Sequence, residues 1–217
     1  MEAVSLYPQF TKENFHSLCD KLSAIDADLH KIIIEYGYPP LWTRSNSFET
    51  LVLTILEQQV SLASAYAAYQ KLKQKIGRVT PASLAALSDE ELRSCYFSRQ
   101  KIRYSKELAA ALLQKKICLR ELYHQDESTV RSSLKKLNGF GDWTVDIYLI
   151  HALRRTDIFP LGDLALGNAI KMVKELPAAT TRADLLTLSE KWQPYRTVAT
   201  MMFWHYYIRK KNIRILS

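Results

Sequence analysis

The 217-residue chain has only three cysteines, Cys19, Cys95 and Cys118, and no two of them form a CxxC pair. That argues against a paired-cysteine zinc site and excludes a four-thiolate iron–sulfur loop. Free thiols in a reducing compartment are the expected state. No apolar run approaches the roughly 18 residues that a membrane span needs. The opening segment MEAVSLYPQFTKENF has no basic stretch followed by an apolar core, so no signal peptide is evident. The expectation is a soluble intracellular protein, cytoplasmic or nucleoid-associated (nuclear in a eukaryote), with no membrane partner. Alternating apolar and polar runs are nearly absent, which disfavours β architectures. No repeat, low-complexity tract or flexible linker is visible, and the five histidines show no metal-ligand spacing. Glycine is scarce as well: there are six, and four of them lie between 139 and 167. Helix packing alone would scatter them among the turns, so backbone freedom is concentrated where a ligand is expected to come close.

What the chain does have is apolar spacing of three and four residues along most of its length. Helices are expected near 11–23, 26–36, 47–59, 61–76, 81–86, 88–95, 99–114, 126–136, 142–154, 163–175, 181–191 and 194–210. Ser88 and Glu91 form an S-x-x-E capping box, while Gly77 and Pro177 mark stops. The fold class is all-α. A net charge of +8 and a pI near 9.3 favour a polyanionic partner. Basic residues gather in Arg99-Lys101-Arg103-Lys106, Lys115-Lys116-Arg120 and Arg209-Lys210-Lys211-Arg214. They read as solvated helix faces or, for some of them, as a surface facing a nucleic acid.

The most informative stretch runs from Leu137 to Asp163. Upstream, Val130, Leu134 and Leu137 share one helical face. The hairpin Asn138-Gly139-Phe140-Gly141 follows, and a helix then starts at Asp142. Its amides therefore sit at a helix N-terminus, where a phosphate can bind. A Pro-Gly turn, Phe159-Pro160-Leu161-Gly162, ends on the single acid Asp163.

This stretch resembles the helix-hairpin-helix superfamily of DNA glycosylases, and within it the alkylpurine branch, the 3-methyladenine DNA glycosylase II type. Further matches carry the closer likeness: Trp143-Thr144 after the hairpin, the turn to Asp163, the segment Trp192-Gln193-Pro194-Tyr195-Arg196 running on to Trp204, and the early Gln58-Gln59-Val60-Ser61. Together they span about residues 46–208, with the hairpin motif at 126–154. The resemblance implies one glycosylase domain over residues 1–217, built as two helical lobes. A DNA-binding cleft would lie between them, with the hairpin and the acidic turn on opposite lips. The N-terminal β-rich domain of some relatives is not expected, because the first 45 or so residues read helical.

The same resemblance assigns roles. Asp163 is the expected catalytic carboxylate, stabilising an oxocarbenium-like sugar and orienting or deprotonating water. It also reads as the N-cap of the following helix, whose dipole favours the anion. The two roles are compatible. Trp143 occupies the position where bifunctional members carry a lysine for Schiff-base chemistry. An indole cannot attack the sugar, but it offers a π-face to a cationic base. Trp204, Tyr195 and Tyr148 are further pocket candidates, with Ile147 standing where relatives often show tyrosine. Trp204 also reads as core. Asn138, Gly139, Phe140 and Gly141 are expected to bind DNA, together with Gln58, Gln59 and Ser61. Gln59 is the expected wedge that fills the gap left by a flipped nucleotide. His151 reads as packed or exposed, Asp157 as a loop residue, and Asp146 as a helical acid among apolar neighbours.

No cofactor is expected beyond, at most, a monovalent cation on hairpin carbonyls. The partner is double-stranded DNA containing alkylated bases, and the chain is expected to be a monomer. Two other readings stay open: a glycosylase for oxidised or deaminated purines, and a non-catalytic hairpin module that binds DNA by shape. The module needs neither Asp163 nor Trp143.

Overall fold

The computed structural model describes residues 7–214. Among them the chain forms α1 (Phe15–Ile25), α2 (Ala27–Tyr36), α3 (Phe48–Glu57), α4 (Leu62–Ile76), α5 (Pro81–Ala85), α6 (Asp89–Ser94) and α7 (Arg99–Leu113). It continues with α8 (Leu119–Leu122), α9 (Glu127–Leu134), α10 (Asp142–His151), α11 (Leu164–Val173), α12 (Arg182–Ser189) and α13 (Arg196–Lys210). A 3₁₀ turn, Glu190–Trp192, precedes α13. The described residues contain no strand, only an isolated bridge between Gln9 and Arg155. The protein is all-α, as its apolar periodicity requires.

The described chain divides into two compact units. Residues 44–148 form a hairpin unit, which carries α3 to α9 and most of α10. Here α3 packs on α4 and α7, and α5 and α6 pack on α7. The buried residues include Leu51, Val52, Ile55 and Leu56 of α3, together with Leu108, Leu134 and Val145. Residues 7–43 and 149–214 form an acid unit in which α13 packs against α1, α2 and α11. Met201, Met202, Phe203 and Trp192 are fully buried there, each side chain of that class contributing about 1.5–3 kcal/mol by leaving water.

Most helix starts follow from their caps. Ser47, Ser61, Ser98, Asp126 and Asp163 each accept a backbone N–H of the first turn, which satisfies a donor the helix cannot use. The Ser88–Glu91 capping box is present, and Gly77 ends α4 at φ +66°. Several boundaries differ from the sequence reading. α1 starts at Phe15 and not near 11, because Asn14 Oδ1 accepts the Thr11 amide and holds a turn there. α10 stops at His151, and α11 at Val173, each followed within three residues by a left-handed position, Arg154 (φ +55°) and Glu175 (φ +51°). The four-residue α8 was not expected; one turn is too short for a periodicity to register.

Candidate functional site

The hairpin is fixed by side chains that address its backbone. Gly139 has φ +83°, a left-handed conformation that glycine adopts at no steric cost. A Cβ there would stand 2.2 Å from the ring of Tyr104, so the aromatic ring packs against the peptide itself. The Gly139 carbonyl accepts the side-chain amide of Gln58 at 2.8 Å, and the same nitrogen lies 2.9 Å from the Thr144 hydroxyl. Glu107 takes both the backbone N–H and the side-chain amide of Asn138, at 3.1 and 2.9 Å. The helices on either side are clamped by Arg131 of α9 and Asp146 of α10, 2.6 Å apart. Burial pushes the Asp146 carboxyl up to about 6, against the pull of Arg131.

Gly141 stands before α10 and has no side chain with which to cap it, and a Cβ added there would meet nothing within 4 Å. The first-turn amides of a helix are donors that the helix itself leaves unused, so an anion can take that place. Asp142 lies beside them, and Lys135 at 2.7 Å holds its carboxyl below the usual range. The hairpin carbonyls of Leu137 and Gly139 each already accept one bond, from Phe140 N–H and Gln58. Two neutral oxygens with a lone pair each to spare fit at most a weakly held monovalent cation, which would add positive charge beside a phosphate. No cluster of three metal-binding side chains occurs among the described residues.

In the acid unit, Asp163 caps α11: its Oδ1 accepts the Leu166 N–H at 2.8 Å and the Trp204 indole N–H at 3.1 Å. Two donors on one oxygen fix the rotation of the carboxylate. Leu164, the next residue, is 75% exposed and gives the acid an apolar neighbour. The far end of α11 is anchored as well. Lys174 at its C-cap binds Asp26 and Asp28. Buried Asp26 also takes Lys191 and the Trp192 indole N–H, at 2.9 and 2.8 Å, and caps α2. These bonds, opposing its burial, hold the Asp26 carboxyl far below the usual carboxylate range.

The expected site residues take definite places. Tyr148 is fully buried, with its hydroxyl donated to Asn46 at 2.6 Å, so its ring packs within the hairpin unit. Phe140 buries its side chain and spends its N–H on Leu137, which makes it a support of the hairpin. Gln58 braces the hairpin from inside, whereas Gln59 (φ +56°) and Ser61, the cap of α4, are exposed at this turn. Tyr195 lies beneath the Lys21 ammonium, 5.6 Å from the ring centroid. Trp204 is only 9% exposed and holds Asp163, a role distinct from stacking a base. Trp143 is half-buried in the first turn of α10.

The rest of the Trp192–Arg196 motif is scaffold. Trp192 binds Asp26, and Arg196 forms a two-pronged pair with Asp157 at 2.8 and 2.9 Å. Sequence reasoning missed Glu107, Tyr104 and Leu164. His151, read as packed or exposed, is packed, with its ring stacked on Trp204.

The sequence profile of the HhH-GPD superfamily of base excision DNA repair proteins matches residues 52–194. DNA-3-methyladenine glycosylase 1 of Schizosaccharomyces pombe is 27% identical over 210 residues, covering 94% of this chain and 90% of that protein. The YfjP protein of Bacillus subtilis is 28% identical over 184 residues, which are 81% of this chain but only 64% of that relative. Among solved structures, the S. pombe glycosylase Mag1 in complex with abasic DNA superposes with a TM-score of 0.82 at 26% identity, covering 93% of this chain and 99% of that one. A Bacillus halodurans DNA-3-methyladenine glycosidase gives 0.73 at 28% identity, covering 91% and 92%.

Proposed function

The chain belongs to the HhH-GPD superfamily of base excision DNA repair proteins, and we propose that it is a monofunctional alkylpurine DNA glycosylase. In this reading it binds duplex DNA, takes an alkylated purine such as 3-methyladenine or 7-methylguanine out of the stack, and hydrolyses its N-glycosidic bond. The bond's electron pair leaves with the base, water adds to the sugar C1′ and gives up a proton, and an abasic site remains. A positively charged purine is a good leaving group, so the demand on the protein is modest. Its tasks are to hold the phosphates, to stack the base and to stabilise the sugar as it becomes cationic.

The observation that carries this reading is the Asp163 carboxylate, held on Oδ1 by the Leu166 amide and the Trp204 indole. A fixed anion can stabilise developing positive charge without reorganising during the reaction. Trp143 supports both halves of the proposal: its indole suits a cationic base, and it supplies no amine with which to form a Schiff base. The N-terminus of α10, opened by capless Gly141, suits a phosphate, and exposed Gln59 suits the gap in the duplex.

The test is incubation with oligonucleotides carrying single defined lesions, with released bases identified and strand nicking scored before and after alkali. Release of 3-methyladenine, with nicks only after alkali, is the expected result. Nicking before alkali would contradict the monofunctional assignment. Tight duplex binding without release of any base would point to a non-catalytic module.

A further inference from the structure

His151 is the last residue of α10 and lies among buried Leu149, Ile150, Ala152 and Leu153. Packing alone would be served there by another aliphatic side chain. A buried imidazole is costly unless its nitrogens are bonded, and this one is bonded: Nδ1 lies 2.7 Å from the Trp42 carbonyl. A carbonyl only accepts, so Nδ1 carries the proton. That bond sets the ring plane, and the ring lies nearly parallel to the Trp204 indole, with centroids 5.7 Å apart and planes at 16°. The same indole donates its N–H to Asp163 Oδ1. Trp42, His151, Trp204 and Asp163 thus form a chain of orientation that ends on the carboxylate.

We propose that His151 is a positioning residue for Asp163: it fixes the plane of Trp204 and thereby the direction of the hydrogen bond that orients the carboxylate. This rests on the reading of Asp163 as the group that stabilises the sugar cation. His151 itself touches no reacting atom. Losing a flat support lets the indole tilt, and misplacement of a catalytic group by about 1 Å costs up to a hundredfold in rate.

The experiment measures single-turnover release of 3-methyladenine and affinity for an abasic-site duplex, for the full chain carrying His151→Ala, His151→Phe, His151→Asn, Trp204→Phe, the His151→Ala/Trp204→Phe pair, and Asp163→Asn. His151→Ala is expected to slow release about tenfold with affinity within about twofold of the parent. His151→Phe keeps the stacked ring and restores most of the rate, whereas His151→Asn keeps the bond to Trp42 and does not. The pair is expected to be no slower than Trp204→Phe alone, because both changes act through one indole N–H. If His151→Ala fails to fold, the comparison of the Phe and Asn variants decides. Full activity of His151→Ala, equal rates for Phe and Asn, or multiplying effects in the pair would each overturn the proposal. Loss of activity in Asp163→Asn together with a fully active His151→Ala sinks the relay alone. Full activity of Asp163→Asn sinks the reading on which it rests.

Discussion

At the hairpin, side chains reach for backbone: Gln58 for the Gly139 carbonyl, Glu107 for the Asn138 amide, Tyr104 for the bare face of Gly139. At the acidic turn, side chains reach for a side chain: Trp204 for the Asp163 carboxylate, with His151 laid on Trp204. The difference matches the roles proposed for the two regions. Phosphates are held by amides, so the peptide planes must be fixed. A cationic sugar is stabilised by one anion, so one carboxylate rotamer must be fixed. A substitution at the hairpin should therefore act through stability and binding together. One at the acid should act mainly on chemistry, with the cap of α11, about 1 kcal/mol, as the smaller share.

The largest expected effect is at Gly139. Gly139→Val combines a left-handed φ with a Cβ driven into Tyr104, and should cost roughly 2–5 kcal/mol of stability, read as a fall in melting temperature. Pairing Gly139→Ala with Tyr104→Ala should recover the steric share and leave the backbone share. If Gly139→Val melts like the parent, the hairpin is not held as described. Next is Asp26→Ala, which leaves Lys174 with Asp28 alone and strands the Trp192 N–H in a buried site, and should cost about 2–3 kcal/mol. A loss below about 1 kcal/mol would mean that this hub does not anchor α11.

Gln58→Leu removes both donations to the hairpin unit, and should cost about 1–3 kcal/mol and weaken duplex binding. Unchanged binding and stability would remove Gln58 from the brace. The two regions should also answer pH in opposite directions. Asp146 has a raised folded value of about 6. Its contribution is therefore fully present below the unfolded value near 4 and is lost as pH rises through 6. Asp26 is depressed, so its contribution is present above that unfolded value and is lost as pH falls. Because asparagine mimics the protonated carboxyl, raising the pH from 3 to 7 should make Asp146→Asn gain stability relative to the parent and Asp26→Asn lose it, read from denaturant midpoints. Shifts of the same sign would contradict the assignment. The smallest effect is Glu107→Gln, which removes a negative charge beside the hairpin and should tighten duplex binding by about twofold, on the scale of an exposed ion pair; a weaker complex would show that Glu107 serves hairpin geometry more than it repels phosphate.

The same contrast explains what was legible in the sequence. Helices declared themselves through a period of three to four residues, and the hairpin through Gly139, because both are local. Asp163 was legible as a cap for the same reason. The partners were not. Glu107 meets Asn138 across 31 positions, Gln58 meets Gly139 across 81, and Trp204 meets Asp163 across 41. No window of sequence contains such pairs. The burial of Tyr148 and Phe140 was not legible because a motif names positions but does not say which way a side chain turns. Trp192 and Arg196 drew attention as part of an ending motif, and the structure gives them the plainer work of binding Asp26 and Asp157.

The measurement that bears most directly on the account compares base release and duplex affinity in one variant, Asp163→Asn. Single-turnover release of 3-methyladenine should fall by about a hundredfold or more, while affinity for an abasic-site duplex should stay within about twofold of the parent. Release at the parental rate would contradict the role given to this carboxylate, and equal losses of release and affinity would contradict the separation of grip from chemistry.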